Sequence, residues 1–316
     1  MITVADTRPL RRWLHGVDRP HLVVCCPEHP DLGGWSRAVI DPRRRKSAQA
    51  VVQLSTCLAF TSPAVLLELI AGGARGITVA LDGCGNPADA DSVVAQAGAF
   101  LSALDHPWAI TRALTLPRDS KRGKAWPILG DRAVPVSRRA LFGLPDGLNL
   151  VEPSEHPTKR LVAVLRELAA GDGWGSELDA IPTGIARFTA SGCAGSGVCA
   201  RTCPVDALTM TRTESTEANP DQDATTEFRL TFDPAKCTGC GQCVKVCPEA
   251  ALKDSGEYVW SSLLAGELSE LRAGLIRRCA RCGVGHGESG ELCAVCSFRV
   301  ANPFGSMMPP GHKDAR

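Results

Sequence analysis

Apolar runs of strand length alternate with helical stretches through the first hundred residues of the chain. Residues 21–26, 51–57 and 76–84 are apolar or β-branched runs of strand length. Residues 62–74 and 90–104 carry apolar side chains at helical spacing. Strands that alternate with helices indicate a parallel α/β sheet with crossover helices, which is the fold class expected for this part of the chain.

The pattern changes after residue 105. Residues 106–157 are rich in proline and arginine, which is typical of a connector with short helical pieces. A twin-arginine sequence, VSRRALFGL at 136–144, lies too far inside the chain to act as an export signal, and we interpret it as a surface helix. Residues 158–170 predict an amphipathic packing helix, and SLLAGELSELRAGLIRR at 262–278 predicts another helix.

These patterns divide the chain into four parts. We expect an α/β domain at 1–112, a Pro-rich connector with helices at 113–188, a cysteine-rich domain at 189–254, and a helix with a small tail domain at 255–316. Residues 211–227, inside the third part, are polar and acidic, which indicates a loop between strands. The chain is therefore predicted to be multidomain.

Cysteine is unusually frequent, with 15 residues in a chain of 316. The N-terminal residues lack the apolar core of a secretory signal, and no run of 18 apolar residues is present, so we expect a cytoplasmic protein without a membrane span. In a reducing compartment, clustered cysteines serve as metal ligands or redox groups rather than as disulfides.

An internal repeat is the clearest signal in the chain. The segment CARTCPVDAL at 199–208 has the same pattern as the segment CVKVCPEAAL at 243–252. The second copy belongs to the run Cys237-x2-Cys240-x2-Cys243-x3-Cys247-Pro248, which is the spacing that bacterial ferredoxins use to hold [4Fe–4S] clusters. A tight loop with small residues aims three sulfurs at one cluster, and the fourth cysteine leaves the loop to ligate the other cluster.

Residues 189–254 thus resemble a two-cluster bacterial ferredoxin domain, which implies an α+β fold with a pseudo-twofold axis. The resemblance implies that one [4Fe–4S] cluster takes Cys237, Cys240, Cys243 and Cys203. It implies that a second cluster takes Cys193, Cys199 and Cys247, with Ser196 at the position of the fourth cysteine.

The serine at position 196 is a departure from the family pattern. A serine oxygen is a harder and poorer ligand for an iron–sulfur cluster than a thiolate. We expect a [3Fe–4S] cluster or a [4Fe–4S] cluster with one labile iron; ligation by Ser196 itself and loss of the cluster are the alternatives.

Two Cys-x2-Cys pairs lie in the tail, separated by ten residues. The four cysteines are Cys279, Cys282, Cys293 and Cys296. Four thiolates at tetrahedral corners are typical of a closed structural zinc site, so we predict a short zinc ribbon, with rubredoxin-type iron as the competing interpretation. We interpret His286, in the intervening turn, as a turn residue.

Four cysteines in the N-terminal part follow predicted strands. Cys25 and Cys26, Cys57, and Cys84 each lie at the carboxyl end of a strand, where parallel α/β sheets bind ligands. We expect an iron–sulfur site at this edge, of the [2Fe–2S] type; buried free thiols and a redox disulfide are the alternatives. Adjacent strand residues point to opposite faces, so Cys25 and Cys26 share a site only if the strand has already turned.

Residues 20–105 resemble the iron–sulfur (delta) subunit of methyl-viologen-reducing hydrogenases. The matching stretches are LVVCCPEH, LSTCLAF and LDGCGNP. That subunit passes electrons between the hydrogenase and heterodisulfide reductase, and its domain binds a [2Fe–2S] cluster. Two further cysteines of the family pattern are replaced here by His29 and Asp89, so the cluster type remains open on sequence grounds.

Charge and motif content exclude several functional classes. The net charge of +1 gives no dominant field for nucleic acid, and no nucleic-acid partner is expected. The basic run at 42–46 reads as a solvated loop, with docking of an acidic redox partner as the alternative. No Gly-x-Gly-x-x-Gly opens a helix after a strand, which argues against a nicotinamide or flavin cofactor.

The combined pattern predicts a multi-cluster electron-transfer protein. We expect it to relay electrons between cytosolic oxidoreductases, with hydrogenase-, heterodisulfide-reductase- or dehydrogenase-like subunits as redox partners. An electron-transfer subunit fits the motifs better than a catalytic chain, and no catalytic residues are assigned. The alternatives are a thiol/disulfide-type reductase subunit that uses the N-terminal cysteines, and an iron–sulfur sensor or interaction protein.

Overall fold

The structure is a computed structural model that describes residues 5–17, 20–29, 49–113, 128–131, 134, 156–169, 176–214, 226–266, 268–287 and 290–303. The basic run at 42–46 and the twin-arginine sequence at 136–144 lie outside these residues, as does most of the predicted acidic loop. The chain divides into two compact units. The first comprises Met1–Pro182 and Val259–Leu264, and the second comprises Thr183–Tyr258 and Ala265–Arg316.

A five-stranded parallel sheet forms the centre of the first unit, as the alternating pattern predicted. Its strands are β1 (His21–Cys25), β2 (Gln49–Gln53), β3 (Gly76–Ala80), β4 (Ile110–Ala113) and β5 (Ile128–Gly130), in the order β4-β3-β1-β2-β5. All four neighbouring pairs are parallel. The three central strands, β1 to β3, are largely buried and rich in valine and isoleucine, as is typical of parallel sheets that are covered on both faces.

Helices pack around this sheet. They are α1 (Arg8–His15), α2 (Ala64–Ala71), α3 (Pro87–Ala103), α4 (Pro157–Leu168) and the short α5 (Ser176–Asp179). Helix α2 is almost entirely buried and packs against α4, and a 3₁₀ turn at Leu58–Phe60 packs against α3. A buried ion pair joins α2 to α4, because the Arg160 guanidinium donates to both carboxylate oxygens of Glu68 at 3.0 and 2.6 Å.

The second unit contains two copies of a strand, loop, helix and strand. The first copy is β6 (Ala186–Ala190), α6 (Val198–Thr202) and β7 (Leu208–Glu214). The second copy is β8 (Thr226–Phe232), α7 (Gln242–Lys245) and β9 (Leu252–Glu257). Strands β6 and β9 pair antiparallel, and so do β7 and β8, which is the pairing that a pseudo-twofold axis requires. The rings of Phe188 and Phe232 meet edge to face at 5.1 Å in the core.

The prediction of a helix at 262–278 is wrong for most of this segment. A short helix, α8 (Trp260–Ala265), ends before Gly266, whose φ of +74° favours glycine. The chain then forms strand β10 (Ser269–Arg278), which pairs antiparallel with β8. Seven residues of β10 pair with the edge of β8, and this tertiary contact outweighs the local helical spacing.

The tail continues from β10. A short strand, β11 (Gly285–His286), pairs with β10, and helix α9 (Ala294–Ala301) follows. The resulting sheet has the order β11-β10-β8-β7. Among the helices of the described residues, none is long and apolar enough to cross a bilayer.

Candidate metal centres

Four cysteines from both copies of the repeat converge in the second unit. They line one cavity, which also has the apolar walls Phe188 and Phe232, and they are Cys203, Cys237, Cys240 and Cys243. Burial raises the pKa of Cys243 to about 11. Burial also raises the pKa of Cys237, and the neighbouring Cys203 and Cys240 thiols add to this. Four soft sulfur ligands in an apolar cavity form a donor set that fits a [4Fe–4S] cluster.

Glycines shape the loop that carries three of these cysteines. Gly239 has a φ of +70° and Gly241 a φ of +67°, a region that non-glycine residues occupy only at a cost. A Cβ on Gly239 would lie 2.7 Å from the carbonyl oxygen of Gly184. The backbone N–H of Gly239 donates to the Cys237 sulfur at 3.3 Å, so the loop presents a polar hydrogen to a cluster-ligand sulfur.

The first copy of the loop has the same backbone despite the serine. Gly195 and Gly197 have φ values of +74° and +69°, close to those of Gly239 and Gly241 in the second copy. The N–H of Gly195 donates to the Cys193 sulfur at 3.4 Å, as the N–H of Gly239 does to Cys237. The loop therefore keeps the cluster-binding conformation with Ser196 at one corner.

The other three cysteines assigned to this site by the ferredoxin resemblance affect one another's ionisation. Burial raises the pKa of Cys199, and the thiols of Cys193 and Cys247 raise it further. Burial likewise raises the pKa of Cys193, with additional contributions from the charges of Glu249 and Cys247. Cys193, Cys199 and Cys247 are the three cysteines that the ferredoxin resemblance assigns to this site.

Sequence reasoning missed two side chains at the Ser196 corner. The Ser196 hydroxyl donates to the Glu249 carboxylate at 3.4 Å, and the Cys247 thiol lies 3.8 Å from the same oxygen. Arg212 donates to the backbone carbonyls of Gly195 and Ser196 at 2.7 and 3.2 Å. A constant offset of 44 residues between the two copies, as from Cys193 to Cys237, would have drawn attention to Glu249, because it corresponds to an apolar residue in the other copy.

The four tail cysteines also converge. The sulfurs of Cys279, Cys282, Cys293 and Cys296 all lie within 4.8 Å of one another. The N–H of Cys293 donates to the Cys279 sulfur at 3.3 Å, and this and further backbone hydrogen bonds lower the pKa of Cys279 to about 6. Four thiolate donors at this separation fit a closed tetrahedral metal site. His286 lies outside the group, in strand β11 opposite Arg277.

Three of the four N-terminal cysteines form a compact triangle at the edge of the parallel sheet. The Cys26 sulfur lies 3.6 Å from that of Cys57 and 3.8 Å from that of Cys84, and the Cys57 and Cys84 sulfurs are 3.5 Å apart. Each follows a different strand. Strands β1 and β3 are neighbours, and the chain continues from β1 to β2 toward one edge of the sheet and from β3 to β4 toward the other edge. Such a switch point is where open α/β sheets bind ligands.

Cys25 does not join this group. Its thiol is buried, lies 3.5 Å from the carbonyl oxygen of Val52, and packs with Val23, Val51 and Ala80. Burial raises the pKa of Cys25 to about 12. His29 is buried and its backbone N–H donates to the Cys26 carbonyl at 3.3 Å, but neither it nor the exposed Asp89 is part of the three-sulfur group.

All fifteen cysteines lie within the described residues, and each is a free thiol. Residues 192–251 match the family model of the 4Fe-4S dicluster domain, which covers 60 of the 316 residues. No curated protein matches the chain. The second unit therefore contains a ferredoxin-type domain, which supports binding of a [4Fe–4S] cluster and iron–sulfur electron transfer.

Proposed function

We propose that this protein is an electron-transfer subunit that relays electrons between cytoplasmic oxidoreductases through a pair of iron–sulfur clusters. The observation that carries the proposal is the cavity lined by Cys203, Cys237, Cys240 and Cys243, within the segment that matches the dicluster family. A bound [4Fe–4S] cluster supplies one-electron chemistry. The chain's own part is to hold the cluster with these thiolates, to exclude water with Phe188 and Phe232, and to donate the Gly239 N–H to a ligand sulfur.

A second cluster site in the same domain is part of the proposal. The matching φ values of the paired glycines and the equivalent N–H to sulfur hydrogen bonds support a cluster held by Cys193, Cys199 and Cys247. With a serine at the fourth corner, we infer a [3Fe–4S] cluster or a [4Fe–4S] cluster with a labile iron. With two clusters in one small domain, one cluster can accept an electron from a donor protein and the other can pass it to an acceptor protein.

The tail supports a structural zinc site. The sulfurs of Cys282 and Cys293 are 3.7 Å apart, and a tetrahedral site with bonds of about 2.3 Å places its sulfurs about 3.8 Å apart. The four thiolates leave no position for a substrate. We propose that Cys279, Cys282, Cys293 and Cys296 bind zinc and stabilise the turn between β10 and α9.

The N-terminal cysteines support a metal centre that differs from the expected [2Fe–2S] cluster. In a two-iron cluster, ligands are divided between the irons, so sulfurs on different irons lie farther apart than sulfurs on the same iron. The sulfurs of Cys26, Cys57 and Cys84 are nearly equidistant at 3.5–3.8 Å, close to the edge of a tetrahedron around one metal ion. We propose a single ion held by three thiolates, with iron giving this unit a redox centre of its own and zinc giving it none.

The redox partners belong to the proposal as well. The resemblance of residues 20–105 to the hydrogenase delta subunit supports partners of the hydrogenase, heterodisulfide-reductase or dehydrogenase type. In the ferredoxin-type domain, Cys240 is solvent-exposed, which gives a partner protein close access to the cluster that this thiolate binds.

One experiment tests these assignments together. The full chain is purified anaerobically, iron, sulfide and zinc are counted per chain, and low-temperature electron paramagnetic resonance (EPR) spectra are recorded after reduction by dithionite and after reoxidation by methyl viologen. We expect reversible one-electron cycling and at least about four irons per chain. Cys243→Ser removes the cycling of the complete cluster, whereas Cys25→Ser does not. Fewer than about four irons, or iron that does not cycle, overturns the proposal.

The reductase alternative predicts a different result. If the Cys57 and Cys84 thiols, 3.5 Å apart, reduce a disulfide substrate, the isolated protein turns over such a substrate and alkylation of these thiols stops it. We expect no such turnover, and protection of both thiols from alkylation until the metal is removed. Salt-sensitive binding of nucleic acid would instead support a sensor.

A further inference from the structure

The two copies of the repeat differ at two positions that face each other. Where the complete site has Cys240, the other site has Ser196, and where the complete site has Val205, the other site has Glu249. Both pairs follow the same offset as the ligand cysteines, so Glu249 and Val205 are equivalent by the pseudo-twofold axis. Val205 lines the cavity together with Cys240, and Glu249 contacts Ser196. The site that lacks a fourth cysteine therefore has a carboxylate beside the serine, contributed by the other copy of the repeat.

The contacts place this carboxylate among the cluster ligands. Its Oε2 atom accepts the Ser196 hydroxyl at 3.4 Å and lies 3.8 Å from the Cys247 sulfur. One side chain thus approaches both the Ser196 corner and Cys247, one of the three remaining cysteines.

The chemistry favours the carboxylate over the hydroxyl as an iron ligand. A carboxylate already carries the negative charge that a metal ligand needs, whereas a serine hydroxyl has to lose its proton first. A donated hydrogen bond from Ser196 orients the carboxylate instead. Both are oxygen donors and harder than a thiolate, so the iron at this corner is held less firmly than one held by sulfur.

We propose that the Glu249 carboxylate is the fourth ligand of the Cys193, Cys199 and Cys247 site, and that it retains a [4Fe–4S] cluster there in place of a [3Fe–4S] cluster. Ser196 is the positioning residue. This inference rests on the proposed second cluster and names the ligand that completes it.

The surroundings of this corner differ from those of the complete site. Glu249 and Ser196 line a solvent-open cavity of about 470 Å³, which Arg212 and Arg278 also line. The two guanidinium groups offset the negative charge of a carboxylate-ligated cluster. The iron bound by Glu249 is accessible to solvent and has an oxygen ligand, so it is the iron of this cluster that exchanges with iron in solution.

Glu249→Gln tests the proposal, because the amide has the same shape without the charge. We expect the oxidised variant to gain a [3Fe–4S] EPR signal of about one spin per chain and to lose about one iron relative to the unaltered protein. Ser196→Ala should keep the [4Fe–4S] cluster, and Glu249→Asp should keep part of it. The matched control is Val205→Gln at the equivalent position of the complete site, which should lose no iron.

A double variant separates ligation from folding. Ser196→Cys combined with Glu249→Gln restores a cysteine at the corner, so we expect full iron content and no [3Fe–4S] signal. Continued loss of iron in the double variant would assign Glu249 a folding role and overturn the proposal. Two other results would also overturn the proposal: an oxidised Glu249→Gln protein without an EPR signal, and a [3Fe–4S] signal in the unaltered protein. The reduced signal of the complete cluster is recorded in every sample, and its absence in the unaltered protein would instead reject the proposed electron-transfer function.

Discussion

Cys25 and Cys26 are adjacent in sequence, but their thiols have different partners. The Cys25 sulfur is 3.5 Å from the carbonyl oxygen of Val52 in the core, and the Cys26 sulfur is 3.6 Å from the sulfur of Cys57 at the sheet edge. Strand alternation places Cys25, the last residue of β1, on the same face as Val23 in the core, and only Cys26, just beyond the strand, reaches the candidate metal centre.

This arrangement predicts different results for two matched substitutions. Cys26→Ala should remove the metal from the N-terminal centre, because only two thiolates remain there. Cys25→Ala should leave the metal content unchanged and lower the free energy of unfolding by about 1–2 kcal/mol through the loss of a buried sulfur. Metal counts and urea denaturation of the two variants check this. Equal metal loss in both would contradict the assignment.

Two glycines in the first copy of the cysteine loop, which belongs to the proposed second cluster, predict a steric effect. Gly195 and Gly192 both have positive φ, but a Cβ on Gly195 would lie 2.8 Å from Ile276 and Phe228, whereas none of the described atoms lies within 4 Å of a Cβ on Gly192. Gly192→Ala should cost about 1–2 kcal/mol from backbone strain alone. Gly195→Ala should cost about 1–3 kcal/mol more from overpacking.

The two glycine variants are compared by the urea midpoint at which the cluster absorbance is lost, measured anaerobically on the full chain. Gly195→Ala should also weaken the spectral signal of the second cluster more than that of the complete one. Similar midpoints for the two variants would show that the loop does not depend on the close approach to β8 and β10.

The buried ion pair between Glu68 and Arg160 predicts a large loss of stability. Both side chains are at most 5% exposed, and Arg160 also donates to the Ala5 carbonyl at 3.0 Å. Glu68→Gln leaves a buried guanidinium without its counter-charge, which should cost about 3 kcal/mol or more. The double variant Glu68→Met with Arg160→Met should be less destabilised. Far-ultraviolet circular dichroism in urea measures both, and a cost below about 1 kcal/mol for Glu68→Gln would be inconsistent with a buried pair.

His21 predicts a pH dependence of the first unit. Burial, followed by the charge of Arg75, lowers the pKa of His21 below its ordinary value, and its ring lies 2.8 Å from the Thr78 hydroxyl. Since the unfolded chain binds the proton more readily, stability is fully present above about pH 6.5 and falls as the pH drops through the lowered pKa. The effect should stay below about 1 kcal/mol, because the ring is only half-buried and water screens it.

Nuclear magnetic resonance titration of the His21 ring checks this pKa directly. His21→Gln should flatten the stability curve below pH 6.5 or so. Thr78→Val should leave the lowered pKa largely in place, because burial rather than the hydrogen bond is the main cause. A ring that titrates at or above the ordinary value would contradict the prediction.

The sequence identified the ferredoxin-type domain because its ligands are close neighbours along the chain. The run from Cys237 to Cys247 specifies a loop by itself, and the same spacing in the first copy exposed the serine at position 196. The parallel sheet was also predictable, since buried strands and crossover helices leave a clear apolar pattern.

Other features depended on contacts between distant residues. Strand β10 has helical spacing in sequence but pairs with β8, some 40 residues earlier, and backbone pairing decided its conformation. Glu249 lies 53 residues from Ser196, and only the pseudo-twofold packing of the two copies brings the carboxylate to the hydroxyl.

For this protein, then, the sequence by itself determined which residues are candidate metal ligands, by type and local spacing, and how many groups they form. The tertiary structure decided which side chains lie together: it kept Cys25 apart from Cys26, brought Glu249 to Ser196, and placed the three N-terminal sulfurs at nearly equal distances from one another. The physical reason is that ligand chemistry is local to a side chain, whereas a coordination site is a set of distances that strand alternation and the packing of separate elements create.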